Sequence, residues 1–251
     1  DLGGSLLIPS RANLNLLCFE EVKQWFKNNK PTIVIIAAAK VGGILANSSY
    51  PTEFILENIK IQNNIIEAAW HNDVKRLLFL GSSCIYPKNS IQPIKEEYLL
   101  TSSLEKTNEQ YAIAKIAGIK LCESLNKQYG FDAISLMPTN LYGPKDNYDL
   151  NNSHFFPALI SKIHDAKLKN KKSITIWGDG TPKRELMYVD DLADACEYFL
   201  KKKTQHSLIN IGSGEEKTIL NFSKFIMKNL DVKCKIKFDK KKPNGTPRKI
   251  L

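Results

Sequence analysis

Two short segments of the sequence contain the side chains that carbonyl reduction needs. Ser82 and Ser83 follow an apolar run that ends at Gly81, and Tyr111 and Lys115 lie four residues apart further along the chain. A phenol can protonate a carbonyl oxygen, a serine hydroxyl can hold that oxygen, and a nearby ammonium lowers the pKa of the phenol from about 10. These residue types predict a site at which a carbonyl group is reduced by hydride transfer.

The Tyr-x-x-x-Lys spacing is not specific by itself, because Tyr198 and Lys202 share it. That second pair lies on a predicted helix that ends in the lysine run 201–203, and no serine-bearing strand end precedes it at a matching distance. We interpret it as an ordinary solvated helix face. The strand end before Tyr111 is therefore what favours the first pair.

Apolar strands alternate with helical segments along the chain, which predicts a parallel sheet of the α/β class. Ligands of such sheets bind beyond the carboxyl ends of the strands, where Ser82 and Ser83 lie. Residues 107–128 are predicted to form a long helix with Tyr111 and Lys115 on one face. The predicted strands are 6–8, 32–38, 77–80, 133–137, 174–177, 208–211 and 235–238. The other predicted helices are 19–28, 52–71, 190–202 and 220–230, and 138–144 is predicted to be a loop beside the site.

Composition limits the partners of the chain. The 251 residues carry a net charge of +10, which comes largely from lysine runs at 169–172, 201–203 and 240–242. Basic residues are not interleaved with aromatic ones in a nucleic-acid-binding motif, so we interpret the charge as solvated surface and expect no nucleic-acid partner. The longest apolar runs are too short to cross a bilayer, so no membrane partner is expected either.

The cysteine pattern indicates a reducing compartment. The five cysteines are scattered, odd in number and never in a Cys-x-x-Cys pair, which predicts neither a disulfide framework nor a metal site. The first residues do not resemble a signal peptide. We therefore expect a cytoplasmic protein without a bound metal.

A glycine-rich turn for a dinucleotide does not occur in the sequence. Such a turn follows the first strand and opens a helix whose N-terminus receives the pyrophosphate. The pairs Gly3-Gly4 and Gly42-Gly43 do not have the required spacing. Either the fold binds no dinucleotide, or the first β-α unit is missing from this sequence.

Six segments together resemble the family of GDP-L-fucose synthases, which are extended short-chain dehydrogenases/reductases of the NAD-dependent epimerase/dehydratase type. The segments are Ala37–Ile44, Gly81–Pro87, Tyr111–Gly118, Met137–Pro144, Asn152–His154 and Gly245–Lys249. The resemblance covers essentially the whole chain. It implies a Rossmann-like doubly wound parallel sheet, with its first β-α unit missing, and a smaller C-terminal α/β lobe for the substrate.

The resemblance also implies a division into domains. Residues 1–144 plus about 185–214 would form the NADP-binding domain, and 145–184 plus about 215–251 the substrate-binding lobe, with both ends truncated. A homodimer is expected through helices that include the one with Tyr111 and Lys115. Without the glycine-rich unit, the chain could be inactive.

The family converts GDP-4-keto-6-deoxy-D-mannose to GDP-L-fucose by inverting C3 and C5 and then reducing C4 with NADPH. The C4 ketone acidifies the hydrogens on both neighbouring carbons, so inversion needs one group that removes a proton and another that returns it. The resemblance assigns this exchange to Cys84 and His154, with the order of acid and base left open. It assigns the reduction to Ser82, Tyr111 and Lys115.

Further contacts follow from the same resemblance. The cofactor would be bound by Leu80, Gly81, Ser82, Ser83, Lys115, Pro138, Thr139, Asn140, Leu141 and His154, with Arg11 at the adenosine 2′-phosphate. A second arginine of the family is replaced here by Pro9, which leaves the preference for NADPH over NADH open. The GDP-sugar would be bound by Lys162, Trp177, Arg184 and Asn244. The family commonly has Arg near Lys162 and Asp near Asn244, so we expect an altered affinity for the same substrate.

Two other classes of function compete with this interpretation. A 4-epimerase or 4,6-dehydratase of the same superfamily would use the same tyrosine and lysine, but a dehydratase is expected to have an Asp-Glu pair where Ser83-Cys84 stands. A non-catalytic binding or RNA-associated module would not need the five intact catalytic positions. Turnover of the GDP-sugar would separate these possibilities.

Overall fold

The computed structural model describes residues 4–150 and 152–251. Its helices are α1 (Phe19–Asn29), α2 (Ile44–Ser49), α3 (Pro51–His71), α4 (Glu109–Tyr129), α5 (Phe155–Leu168), α6 (Val189–Lys201) and α7 (Ile219–Asn229). Its strands are β1 (Ile33–Ile36), β2 (Arg76–Leu80), β3 (Ala133–Pro138), β4 (Asn140–Tyr142), β5 (Ser173–Trp177), β6 (Lys183–Tyr188), β7 (Leu208–Ile211), β8 (Glu216–Thr218), β9 (Lys235–Asp239) and β10 (Arg248–Lys249).

The main sheet has the order β1-β2-β3-β7, and every pairing in it is parallel. Parallel strands covered on both faces are apolar throughout, and all residues of β3 are buried. Leu77 and Phe79 of β2 point into one core, with residues of α1, α3 and α4. Leu78 points into a second core, with residues of α6. The predicted α/β architecture, a parallel sheet with helices on both faces, is confirmed.

A smaller third core lies in the C-terminal half. Strands β5 and β9 pair in parallel, and their apolar side chains pack against α5 and α7. Phe156 and Phe222 meet edge to face with ring centres 5.6 Å apart. Burial of each large apolar side chain contributes about 1.5–3 kcal/mol, so this two-stranded unit has its own source of stability.

Strand β6 joins the two halves at the cavity described below. It pairs in parallel with β4 and β10 and antiparallel with β8. Neither β4 nor β6 was predicted, and β4 lies inside the segment 138–144 that the sequence predicts as a loop. The three residues of β4 are only half-buried, which explains why the sequence has no apolar run that predicts this strand.

One predicted strand is wrong. Residues 6–8 have no strand structure, and Leu6 and Ile8 are 82% and 78% exposed. An apolar triplet forms a strand only beside a neighbour that completes its hydrogen bonds, and within the described ranges β1 pairs with β2 alone. The helix 155–168 was also missed, whereas the eleven other predicted strands and helices are confirmed to within a few residues.

The described ranges contain neither a membrane-spanning helix nor a cluster of metal ligands. None of their helices combines the length and the apolar character that crossing a bilayer requires. They also bring together no group of three or more His, Cys, Asp or Glu side chains that could hold a metal ion.

Candidate active site

A cavity of about 610 Å³ opens at the carboxyl ends of β2 and β3. It is bounded by α4 on one side and by α5, β5 and the segment before β10 on the other. All but one of the predicted site residues line it, and the exception is Arg11, which lies on an exposed turn. The lining includes Leu80, Gly81, Ser82, Ser83, Cys84, Tyr111, Lys115, Pro138, Thr139, Asn140, Leu141, His154, Lys162, Trp177, Arg184 and Asn244.

The turn after β2 fixes the serines and the cysteine. A Cβ at Gly81 would lie 2.4 Å from the sulfur of Met137, so a larger residue there would require the Met137 side chain to move. The hydroxyl of Ser82 then accepts the backbone N–H of Cys84 at 3.2 Å and caps a 3₁₀ turn, Ser83–Ile85. Ser83 is buried, whereas Ser82 and Cys84 are half-buried at the cavity wall.

Lys115 is held against the same strand end. Its ammonium donates to the carbonyl oxygen of Leu80 at 2.8 Å and lies 5.9 Å from the ring centre of Tyr111, one helical turn earlier on α4. Lys115 is only 3% exposed, and this burial lowers its pKa to about 8. The predicted face shared by Tyr111 and Lys115 is thus present in the structure.

The prediction that Lys115 lowers the pKa of Tyr111 is wrong for this structure. Burial raises the pKa of the Tyr111 phenol above its usual value, the neighbouring Cys84 raises it further, and a hydrogen bond with Ser82 opposes both. The ammonium of Lys115 faces the Leu80 carbonyl instead and is not among the groups that shift the pKa of Tyr111. Tyr111 is accordingly a neutral proton donor here.

Cys84 has two nitrogen donors on its sulfur. The amide of Asn108 donates to Sγ at 3.2 Å, and the ammonium of Lys249 donates at 3.4 Å. Burial by itself would raise the pKa of this thiol, but the charge of Lys249, hydrogen bonds from Ser82 and Lys249, and the charge of Arg184 together lower it. The site therefore favours the thiolate, which is the form that accepts a proton.

Asn108 and Lys249 were not among the predicted site residues. Lys249 is 8% exposed and reaches the cavity because β10 pairs with β6, which sets Lys249 beside Arg184. Lys249 belongs to the segment 245–249, which carries part of the family resemblance, and this segment could have identified it as a site residue. Asn108 ends the 3₁₀ turn before α4, and nothing in its sequence context distinguishes it.

His154 enters the cavity from the N-terminus of α5. The backbone N–H of Gly43 donates to the carbonyl of Asn152 at 3.1 Å, and a Cβ at Gly43 would lie 2.4 Å from the Ser153 oxygen. Glycine therefore allows the loop after β1 to cross directly over the segment that bears His154. Desolvation by the surrounding protein lowers the pKa of His154. The charge of Asp146 raises this pKa, and the charge of Lys249 lowers it.

The far side of the cavity is positively charged and aromatic. The indole of Trp177 lies between two ammonium groups, with ring-centre distances of 5.7 Å to Lys162 and 5.1 Å to Lys242. Arg184 donates to the Lys183 carbonyl at 2.8 Å and approaches the Asn244 carbonyl at 3.5 Å. Lys242 was missed because it lies in a lysine run interpreted as solvated surface.

Asn244 has a structural contact that the sequence did not predict. Its side-chain oxygen accepts the backbone N–H of Asp179 at 3.1 Å, and a Cβ at Gly178 would overlap that oxygen at 1.8 Å. Gly178 has φ +71°, a conformation that favours glycine. The Asn244 amide therefore joins the turn after Trp177 to the segment before β10.

The strand-end part of the cavity fits the nicotinamide end of a dinucleotide. Its polar groups are small neutral side chains and backbone atoms, from Ser82, Thr139 and Asn140, together with the Lys115 ammonium. Such groups suit a carboxamide and a ribose. In the described ranges no glycine-rich turn opens a helix for the pyrophosphate, and Arg11 lies outside the cavity.

Comparison with known proteins agrees with this geometry. The model of the NAD dependent epimerase/dehydratase family matches residues 6–212. GDP-L-fucose synthase of Sinorhizobium fredii is 52% identical over 246 residues, which cover 98% of this chain and 78% of the relative. GDP-L-fucose synthase 1 of Arabidopsis thaliana is 51% identical, with 98% and 76% covered.

A solved structure extends the comparison to the fold. The GDP-mannoheptose C4 reductase from Campylobacter jejuni with NADP bound superposes with a TM-score of 0.86 at 36% identity, and the match covers 98% of this chain and 81% of that one. The sheet order, the strand-end cavity and these matches lead to one conclusion: the chain belongs to the NAD dependent epimerase/dehydratase family and, within it, resembles the GDP-L-fucose synthases.

Proposed function

We propose that the chain converts GDP-4-keto-6-deoxy-D-mannose to GDP-L-fucose, by epimerisation at C3 and C5 and NADPH-dependent reduction at C4. The observation that carries the proposal is that two proton-exchanging groups, Cys84 and His154, line the same cavity as Ser82, Tyr111 and Lys115. An enzyme that only reduces a ketone needs Ser82, Tyr111 and Lys115 but not Cys84 and His154. The names of the similar synthases and the bound NADP of the similar reductase support the same activity.

In the epimerisation, the chain moves protons on carbons next to the ketone. The Cys84 thiolate, stabilised by Lys249, is suited to accept a proton, and His154 enters the cavity from a different element, α5. The pKa of His154 is lowered, so its imidazole is neutral near pH 7 and can accept or relay a proton. The order in which the two act is left open, as each inversion needs removal and return on opposite faces of the carbon.

In the reduction, the chain holds the C4 oxygen and supplies a proton. Ser82 positions the oxygen, and the phenol of Tyr111 donates its proton as negative charge develops there. Lys115, positively charged below its pKa of about 8, then stabilises the resulting phenolate from the next turn of α4. NADPH supplies the hydride when bound.

We propose that the cofactor is held at the strand ends by Leu80, Gly81, Ser83, Lys115 and the segment 138–141, with His154 at its edge. These residues line the part of the cavity that fits the nicotinamide ribose. Arg11 at the 2′-phosphate, and with it a preference for NADPH over NADH, stays a prediction.

We propose that the GDP moiety lies on the opposite wall. Lys162, Arg184 and Lys242 offer positive charge to the diphosphate, and Trp177 offers a flat apolar surface. Asn244 orders the adjoining turn instead of supplying a charge.

The same proposal includes the wider organisation of the protein. Residues 1–144 plus about 185–214 would form the NADP-binding domain and the rest the substrate lobe, because the third core draws on β5, β9, α5 and α7. The enzyme would act in the cytoplasm as a homodimer through α3 and α4. Exposed apolar side chains on these helices, Leu56 (47%) and Ile113 (42%), and the five free cysteines support this assignment.

The test is turnover of GDP-4-keto-6-deoxy-D-mannose with NADPH, with the product identified by NMR. The chain is assayed in parallel with a longer form that carries a glycine-rich β-α unit at its N-terminus. GDP-L-fucose as product in either form supports the proposal. A folded, NADPH-binding protein that leaves this substrate unchanged would contradict it and favour another nucleotide-sugar reaction, and failure of both forms to bind NADPH would favour a non-catalytic module.

A further inference from the structure

We propose that Glu185 is a positioning residue: its carboxylate fixes the segment 249–251 so that the ammonium of Lys249 stays against the sulfur of Cys84. Glu185 lies on β6 and is 0% exposed. It does not line the cavity, so any effect on the site must pass through other residues. The inference rests on the proposed function only in taking Cys84 as a reacting group.

Both carboxylate oxygens of Glu185 have backbone donors. Oε1 accepts the N–H of Gly214 at 2.7 Å and the hydroxyl of Ser213 at 3.4 Å. Oε2 accepts the N–H of Leu251 at 2.9 Å. Gly212 allows this approach, because a Cβ there would lie 2.6 Å from Oε1.

These contacts join three pieces of chain at one point. The turn after β7 and the segment after β10 are both tied to β6 through a single side chain. Among the described residues no lysine, arginine or histidine is ion-paired with Glu185, so its hydrogen bonds must compensate for the loss of water. A buried carboxylate without a cation is costly to retain, which points to a role that an apolar side chain could not fill.

Glu185 also contacts the cavity-lining segment that follows β3. Its backbone carbonyl accepts the side chains of Thr139 at 3.2 Å and Asn140 at 3.0 Å. Its neighbour Arg184 stands opposite Lys249 in the pairing of β6 with β10. Glu185 therefore joins two parts of the chain. Its backbone carbonyl contacts Thr139 and Asn140 in the cavity wall, and its carboxylate contacts Leu251, two residues after Lys249.

The segment 249–251 has other anchors as well, because β10 pairs with β6 at Lys249 and the side chain of Leu251 packs against the main core. The N–H of Ile250 donates to the side chain of Gln92 at 2.9 Å, and the Ile250 carbonyl accepts the N–H of Ile94 at 2.8 Å. Those two bonds hold the middle residue, whereas the Glu185 bond holds the next one. Loss of the Glu185 bond would let the strand end rotate and move Lys249 away from Cys84.

Several charged or titratable groups face Cys84, and the test must separate them. Lys249 approaches from β10, Arg184 from β6 and Tyr111 from α4. Glu105, before α4, also lines the cavity but is ion-paired with Lys88 at 2.9 Å. Of these, only Lys249 belongs to the segment that Glu185 anchors.

The experiment measures the rate at which iodoacetamide alkylates Cys84 as a function of pH, read from the Cys84 peptide by mass spectrometry. The midpoint of this profile reports the ionisation of the thiol and needs no substrate. Its outcome is therefore independent of whether the sugar is turned over. The variants are Glu185→Gln, Lys249→Met and the double variant. Glu216→Gln is the control, because that half-buried carboxylate pairs with Lys183 and with Arg248, the residue before Lys249, and does not contact Cys84.

Lys249→Met is expected to raise the midpoint by about one pH unit, the effect of losing one nearby opposite charge. Glu185→Gln is expected to raise it by roughly half as much or more, since the amide can accept at only one of the two positions. The double variant should not exceed Lys249→Met, and Glu216→Gln should match the wild type. A wild-type midpoint in Glu185→Gln or Lys249→Met, or additive shifts in the double variant, would overturn the proposal.

A second pair of variants covers the case in which Glu185→Gln does not fold. Leu251→Pro removes the donated N–H and leaves Glu185 intact, while Leu251→Met retains both the N–H and an apolar side chain against the main core. The proposal expects the proline variant alone to raise the midpoint. Equal midpoints for both variants would refute it.

Discussion

The two walls of the cavity are built in different ways. On the strand-end wall, Ser82 and Lys115 are fixed by hydrogen bonds to backbone atoms of the turn after β2, and Lys115 is almost fully buried. On the opposite wall, Lys162 and Arg184 are half-buried and contact carbonyl oxygens, and the exposed Lys242 lies beside this wall, against the indole of Trp177. Within the described ranges none of these three cations is ion-paired with a carboxylate.

This difference separates two tasks. Reaction requires groups that stay within a fraction of an ångström of the reacting atoms, and buried backbone contacts provide that rigidity. Binding of a diphosphate requires uncompensated positive charge, which solvent-accessible side chains can offer without a large desolvation cost. Substitutions on the strand-end wall should therefore reduce kcat, whereas those on the cationic wall should change KM and its salt dependence.

The largest effect is expected for Tyr111→Phe. Loss of the proton donor should slow C4 reduction by about 10²- to 10⁴-fold, because general acid catalysis contributes that much, while proton exchange at C3 and C5 continues. NADPH oxidation and deuterium uptake from D₂O measure the two steps. Tyr198→Phe is the matched control, since Tyr198 begins the other Tyr-x-x-x-Lys pair and is 55% exposed on α6. Equal losses in both variants would remove the distinction between the two pairs.

Cys84→Ser should have the next largest effect and on the other step. A hydroxyl is a far weaker base than the thiolate that Lys249 stabilises, so deuterium uptake at C3 and C5 should fall by about 10²-fold. NMR of the sugar after incubation in D₂O measures it. Cys18→Ser serves as the control, because Cys18 is half-buried but does not line the cavity. Retained exchange in the Cys84 variant would contradict the assignment of this residue.

The strand-end wall was the more predictable of the two from sequence. Its residues lie within short local motifs, and the carboxyl ends of parallel strands meet at one edge of the sheet, so Ser82, Tyr111 and Lys115 could be brought together by topology alone. The local sequence patterns did not predict how burial and neighbouring groups together set the pKa of Tyr111. The pKa of Tyr111 is raised, because burial and the neighbouring Cys84 outweigh the hydrogen bond with Ser82.

The two lysines that were missed, Lys249 and Lys242, reach the site through contacts between distant parts of the chain. Lys249 reaches Cys84 across 165 positions, and it does so through the pairing of two strands that no apolar pattern announced. Lys242 stands in a lysine run that looks like any solvated surface. Only the tertiary structure distinguishes these lysines from the other basic residues of a chain with net charge +10.

A pH experiment tests how deeply the strand-end wall is buried. Between pH 8 and 10.5 the unfolded chain binds more protons at Lys115 than the folded chain, because burial lowers the folded pKa to about 8. The free energy of unfolding of the wild type should therefore rise with pH, relative to Lys115→Met, by about 1–2 kcal/mol between pH 7.5 and 9.5. Below about pH 7, where Lys115 is protonated in both the folded and the unfolded chain, the difference should be constant.

Urea unfolding at the two pH values measures this difference. Lys120→Met is the control, since Lys120 lies on the same helix with its side chain 48% exposed and paired with Glu123. Its stability should follow the wild type at both pH values. A Lys115→Met variant that also follows the wild type would mean that Lys115 is solvated and that the two walls are less different than described.

The smallest effect is expected on the cationic wall, where a single substitution can strengthen binding. Lys162→Arg should lower the KM for the GDP-sugar by about threefold, because a guanidinium can contact a phosphate with two N–H groups where an ammonium acts as a point charge. Lys162→Ala should raise KM by about tenfold, with kcat unchanged in both variants. Lys167→Ala, on the exposed side of the same helix, is the control. Added salt should weaken substrate binding in the wild type more than in Lys162→Ala, since one of the screened charges is then absent. A fall in kcat without a change in KM would instead place Lys162 among the reacting groups and break the division between the two walls.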